Sequence, residues 1–182
     1  METFAKAREF VEDSGYAHAR QKSLAALDIS SIDGPISDIV EGFATLPHCF
    51  TLQCCFGHFL CAPNQDPGNV EPIPLGFSGL ARYRMAYIAF CLENTPRGRA
   101  LRQSLGRIPS IDPGYIQFGS ADWFWGRWVN SYALQVEPEA YMFKDEAFLD
   151  SAEALRTQEA RDQFFAELRV LLAGEMREQG TG

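Results

Sequence analysis

The stretch that most constrains the fold is DSAEALRTQEARDQFFAELRVLLAGEMREQ, which opens at Asp150. Its apolar residues recur at helical spacing, with Ala160, Phe164, Leu168 and Leu171 on one stripe and charged residues around the rest. Asp150 and Glu153 form a capping-box-like start. So long a helix cannot bury its stripe against itself. The remainder of the chain must supply an apolar surface to receive it.

Upstream, helices and strands come in groups. TFAKAREFVEDSG reads as a helix ended by Gly15, and a second helix is expected over about 17–28, so residues 1–30 would form a helical N-terminal extension. After DGP, Ile36, Ile39, Val40 and Phe43 recur at i, i+3, i+4 and i+7 until Pro47 forbids continuation. CFTLQCC, rich in aromatic and β-favouring residues, predicts a strand over 49–55. Gly57 marks a turn, and APNQDPGNVEPIPLG, dense in proline and glycine, reads as loop. ARYRMAYIAFCLE fits helix or strand, its aromatics favouring a strand over about 84–93. Thr95 can cap a helix with Pro96 in its first turn, and Pro109 stops it. GYIQFGSA and VNSYALQVEP read as two more strands, the second with Tyr132, Leu134 and Val136 on one face.

This order predicts one α+β domain over 1–182: a mainly antiparallel sheet of about four strands covered by helices, with the long C-terminal amphipathic helix and a tail at 179–182 that should fray. Parallel βαβ packing through the 95–108 helix is the competing arrangement.

Composition bounds the function. No run approaches the roughly 20 apolar residues needed to cross a bilayer, and the N-terminus lacks a signal peptide's uninterrupted apolar stretch. The expectation is a cytoplasmic protein with no membrane partner, whose Cys49, Cys54, Cys55, Cys61 and Cys91 are reduced thiols. A net charge of −8 argues against broad nucleic-acid binding by charge alone. Residues 80–130 nevertheless hold Arg82, Arg84, Arg97, Arg99, Arg102, Arg107 and Arg127 and no lysine, against Glu93, Asp112 and Asp122. Such guanidinium groups can grip a phosphate or carboxylate bidentately, or line a solvated helix face and pair with acidic flanks.

HCFTLQCCFGHFLC, residues 48–61, gathers four of the five cysteines and two of the three histidines. Structural zinc sites present two close ligand pairs separated by a longer loop. Cys55 and His58 have suitable spacing for one pair, but no second pair follows, so the protein is expected to carry no stoichiometric metal. Alternation along the strand puts Cys49 and Cys55 on one face and Cys54 on the other. Cys55, at the strand end before Gly57, is the candidate catalytic thiol, and His58 is near enough to lower its pKa or act as a base. On that reading Cys55 would react with an alkylating probe faster than the other four. The alternative is that the whole segment is a buried core strand.

The run DWFWGRW holds all three tryptophans. Trp123 and Trp125 beside Arg127 could stack a base or hold a cation, with Asp122 and Asn130 supplying polar contacts; or they could plug one end of the sheet.

The turn resembles a known family, the tRNA wybutosine-synthesising protein 3 family and its archaeal relatives. There a helix leads into a strand ending in Thr-Thr-Ser-Ser-Cys-Ser-Gly-Arg; here Thr51, Cys55 and Gly57 match, both serines flanking the cysteine are replaced, and His58 stands in place of the arginine. A later strand running into Glu-Pro resembles YALQVEP, with Glu137 and Pro138. The resemblance implies an α+β domain that uses S-adenosylmethionine as cofactor and methylates a tricyclic guanosine beside the tRNA anticodon. A non-catalytic ligand-binding or protein-interaction module on the same fold is the alternative. Both readings expect a small-molecule or nucleotide-like ligand where the Cys55–His58 turn meets the Asp122–Trp128 loop. For these to share a site, both loops must lie on the same edge of the sheet, with Arg127 facing the common cavity.

Overall fold

A computed structural model describes residues 4–142 and 144–179 and gives an α+β fold. The expected fraying tail lies outside the described residues, apart from Gln179, which ends the last helix. Among the described residues the strands form two sheets. The larger has the order β1 (Phe4–Lys6), β6 (Ile116–Ala121), β7 (Ser131–Val136), β5 (Ala86–Leu92), β2 (Cys49–Cys55). The smaller has β3 (His58–Leu60), β4 (Leu80–Arg84), β8 (Glu146–Asp150). Every pairing among the described residues is antiparallel, so the crossover competitor does not occur among them.

Sequence reasoning expected one sheet and missed β1, β3, β4 and β8. The last three are short and set among turns, where alternation is hard to see.

The larger sheet has two apolar faces. Ile88, Phe90, Leu92, Tyr132, Leu134, Val136 and Ile116 form the inner one. Against it pack α2 (Ser37–Thr45), through Ile39, Val40 and Phe43, and α3 (Pro96–Leu105), through Leu101 and Leu105. The long helix α5 (Ser151–Gln179) adds Phe164, Phe165 and Leu168, and the small sheet adds Tyr83, Ala81, Ala147 and Leu149 to the same core. Each buried valine, leucine, isoleucine or phenylalanine among them contributes about 1.5–3 kcal/mol relative to exposure. The stripe at Ala160, Phe164 and Leu168 is fully buried, as the periodicity requires, and Leu171 lies at its margin. Gly42 lets α2 and α5 touch, since a Cβ there would lie 2.1 Å from Leu172 Cδ2.

Caps match the local sequence in part. Thr95 Oγ1 accepts from Gly98 N at 3.3 Å, and Asp150 Oδ1 accepts from Ala152 N and Glu153 N. Glu153 does not reach back as a capping box would. Its carboxylate instead accepts from the Tyr115 hydroxyl at 2.7 Å.

The N-terminal segment departs from expectation. Residues 4–14 are not helical, and α1 covers only Tyr16–Ala25. Long-range bonds override the helical period. Asn130 Nδ2 donates to Val11 O and its Oδ1 accepts from Val11 N, while Arg102 donates to the carbonyls of Ala7 and Arg8. The segment is therefore stitched along the sheet edge rather than extended from it. Arg20, on α1, donates to Ala44 O and Leu46 O at the C-terminal end of α2, where carbonyls lack helical partners.

On the outer face the small side chains of Ala89, Ala121 and Ala133 receive Phe124 from the short helix α4 (Asp122–Trp125). Tyr16 of α1 covers Phe50 and Cys91. The rest of that face borders a groove.

Candidate functional site

After β2 the chain turns at Gly57, whose φ of +89° favours glycine. A Cβ there would also meet Ala86 Cβ at 2.7 Å. The turn is held from both sides. Gly57 O accepts from Arg161 Nη1 of α5 at 2.9 Å, and Phe56 N donates to Asp33 Oδ2 at 2.8 Å. The guanidinium of Arg161 lies 4.0 Å over the Phe56 ring.

This arrangement brings His58 beside Cys55 and Asp33, three groups whose ligand atoms all lie within 4.8 Å of one another. His58 is 3% exposed and Cys55 is 4% exposed. His58 Nδ1 lies 3.0 Å from Asn69 O. A carbonyl can only accept, so Nδ1 carries a hydrogen and Nε2 is left for the cluster, 3.3 Å from Asp33 Oδ2. Hydrogen bonding to Asp33, then to Cys55, pushes the imidazole up to about 10 against the opposing effect of burial. His58 in turn holds the Asp33 carboxyl below its ordinary range.

This differs from the accessible nucleophile expected from the sequence. The thiol is enclosed, because β2 ends inside a knot of Phe56, Phe59 and Arg161 rather than at an open strand end. A relay through imidazole needs one ring nitrogen on the thiol and the other on the acid. Here Nδ1 is committed to the backbone.

The strand's cysteines also face differently from the simple alternation. The register shifts between Thr51 and Gln53, so Cys49 pairs with Leu92 but Cys55 pairs with Tyr87. Leu92 belongs to the inner face and Tyr87 to the outer. One extra residue in the bulge reverses the parity of everything after it, and Cys49 and Cys55 oppose each other.

The groove crosses the outer face and rounds the edge strand β2. Two adjoining cavities, of about 380 and about 970 Å³, share Gln53, Arg84 and Tyr87. The smaller is walled by Trp123, Gln135, Lys144 and Asp145, the larger by α1, Thr51, Cys54, Arg127 and Trp128. Trp123 is half exposed, with the Arg127 guanidinium 3.3 Å over its ring. On the groove floor Gln135 has a fixed amide: Nε2 donates to Glu137 Oε1 at 2.7 Å and to Met142 O at 3.2 Å. Since Met142 O cannot donate, the nitrogen must stay there and Oε1 remains the acceptor end. Glu137 is 1% exposed, and burial, then Asp145, pushes its carboxyl up to about 8.

The expected meeting of the two loops on one sheet edge is not found. Phe50 pairs with Cys91, and Cys91 with Ser131, so the loop before β7 lies at the end of the sheet opposite Cys55, Tyr87 and Gln135. The tryptophan loop reaches back only because α4 folds over the face. Of the expected site residues, Thr51, Trp123 and Arg127 line the groove. Cys55, Gly57 and His58 form the cluster behind its Arg84 end, where His58 pairs with Arg84 across β3 and β4. Asp122 pairs with Arg8, and Trp125 packs edge-on against Tyr132 under the same arginine. Asn130 is consumed by Val11.

Sequence reasoning missed Asp33, Gln53, Tyr87, Gln135, Lys144 and Asp145, and named Arg84 only as one of seven central arginines. Gln53 and Gln135 carried a signal, being amides inside otherwise apolar strands. Asp33 carried none beyond its turn-forming DGP context.

No family model and no curated protein matches this sequence. Among solved structures the chain is similar to the PH1069 protein from Pyrococcus horikoshii, with 12% identity, 88% of this chain and 96% of that chain covered, and a TM-score of 0.49. No helix among the described residues is long and apolar enough to cross a membrane.

Proposed function

We propose that the groove over the outer face of the larger sheet binds a nucleotide-like small molecule. The observation that carries this reading is the convergence there of Trp123, Tyr87, Gln53 and the oriented Gln135 amide, with Arg84 at the junction of the two cavities. Two aromatic rings suit the face of a base, and fixed amides suit its hydrogen-bonding edge. Each of the two cavities taken singly lies within the volume range of small-ligand sites.

The resemblance of the Cys55 turn to the wybutosine methylases makes S-adenosylmethionine the first ligand to test. The residues present fit it: Tyr87 and Trp123 for adenine, Asp145 for hydroxyl or ammonium donors, Arg84 for the carboxylate. When bound, that cofactor supplies an electrophilic methyl group. A base of tRNA is the acceptor that the same resemblance implies, with Arg84 and Arg127 as groove cations available to a phosphate.

One observation favours binding without turnover as the second reading. Cys55 and His58, the groups suited to chemistry, stand behind the groove rather than in it.

The test is calorimetry and thermal shift with S-adenosylmethionine, S-adenosylhomocysteine and adenosine. We expect saturable binding that Trp123→Ala and Gln53→Ala each weaken by about tenfold, corresponding to about 1.4 kcal/mol. If none of the three binds at millimolar concentration, the nucleotide-like reading fails. If adenosine binds but the methyl donor does not, the methylase reading alone fails.

A further inference from the structure

We propose that Asp33, Cys55 and His58 form a site for one thiophilic divalent cation, zinc in the first instance. Sequence spacing argued against a metal because no second ligand pair follows Cys55 and His58. The fold supplies a third ligand from elsewhere in the chain, since the backbone N–H of Phe56 fixes the Asp33 carboxylate against the turn.

Three features fit a cation better than a bare hydrogen-bonded cluster. The ligand atoms lie within 4.8 Å of one another, close enough to converge on one centre with small side-chain shifts. The 3.3 Å from His58 Nε2 to Asp33 Oδ2 is longer than the roughly 2.7–2.9 Å of a charge-assisted hydrogen bond. It matches the edge of a tetrahedron, also roughly 3.3 Å, whose centre is about 2.0 Å from a nitrogen and an oxygen. And the other ring nitrogen donates to Asn69 O, the backbone contact that fixes ring orientation in metal-bound histidines.

The donor set, one sulfur, one imidazole and one carboxylate, suits zinc rather than magnesium or calcium. Charge balances too. A Cys55 thiolate and the Asp33 carboxylate would together offset the charge of one dication. Asp33, with a quarter of its side chain exposed, provides the way in.

The test uses the full chain, stripped of metal and titrated with cobalt(II). We expect saturation at one ion per chain, a thiolate-to-cobalt charge-transfer band, and displacement of that band by zinc. Cys55→Ser should abolish the band and Asp33→Asn should weaken binding, while Cys54→Ser and Cys61→Ser leave both unchanged. X-ray absorption on the zinc-loaded wild type needs no variant to fold, and should find one sulfur per zinc with nitrogen or oxygen in the remaining positions. Absence of stoichiometric binding, a band that follows Cys54 or Cys61, or a zinc shell with no sulfur or with several would each overturn the site. None of these outcomes depends on the groove's ligand.

Discussion

At Cys55 the turn that places a histidine alongside the thiol also shuts it away from solvent. Reach therefore ranks the thiols differently from sequence position. Cys54 and Cys61 are partly exposed, while Cys49, Cys55 and Cys91 are buried. Burial pushes the thiols of Cys54, up to about 11, and Cys61 upward, so even the exposed pair should label slowly near neutral pH. We expect mass mapping of the native, metal-free protein to find Cys61 and Cys54 alkylated first and the other three only on unfolding. Early modification of Cys55 would contradict the enclosed turn. Gly57 is the second single-residue test. Alanine there must hold a positive φ and push against Ala86, at a combined cost of about 2–3 kcal/mol, read as a lower midpoint in urea unfolding. A Gly57→Ala protein as stable as wild type would mean the turn can relax.

Among the elements, those whose signals are local were legible in sequence. The helix before Pro47 follows from its apolar spacing, the helix after Thr95 from its cap, and β2 from the composition of CFTLQCC. What the sequence did not disclose depends on partners far along the chain. Residues 4–14 have a helical period yet form no helix, because Asn130 and Arg102 bind their backbone. The outer-face groove was illegible because Gln53, Tyr87 and Gln135 become neighbours only through strand register. Asp33 meets His58 only once the 28–36 turn is folded onto the end of β2. A test at this scale is Arg20→Ala. It strips the C-terminal carbonyls of α2 of two charged hydrogen bonds and should cost roughly 2 kcal/mol, with Arg20→Lys recovering only part of it. Equal stability of wild type and Arg20→Ala would show that water satisfies those carbonyls equally well.

For the whole molecule two buried groups, Glu137 and His58, make stability fall with rising pH. Buried His48, whose imidazole burial holds below its ordinary range, exerts a smaller opposite pull. Glu137 is raised from an ordinary 4.5 to about 8, so the folded protein keeps a proton that the unfolded chain releases in that window. Its contribution is full below 4.5 and is lost as pH rises toward 8. In the metal-free protein His58 behaves likewise, contributing fully below 6.5 and losing that contribution as pH passes about 10. Unfolding measured from pH 5 to pH 9 should show decreasing stability, with a shallower slope up to pH 8 in Glu137→Gln. An identical slope in the variant would place Glu137 in a more polar setting than its burial implies. One further consequence belongs to the order in which the chain is made. Arg8 N donates to Ser120 Oγ, 112 positions later, and among the described residues β1 pairs only with β6. At about 5–20 residues per second, the first strand leaves the ribosome on the order of ten seconds before its partner exists. Through that interval Phe4 and Phe10 have no surface to bury against, and a chaperone that recognises short apolar segments would find them there before the sheet does.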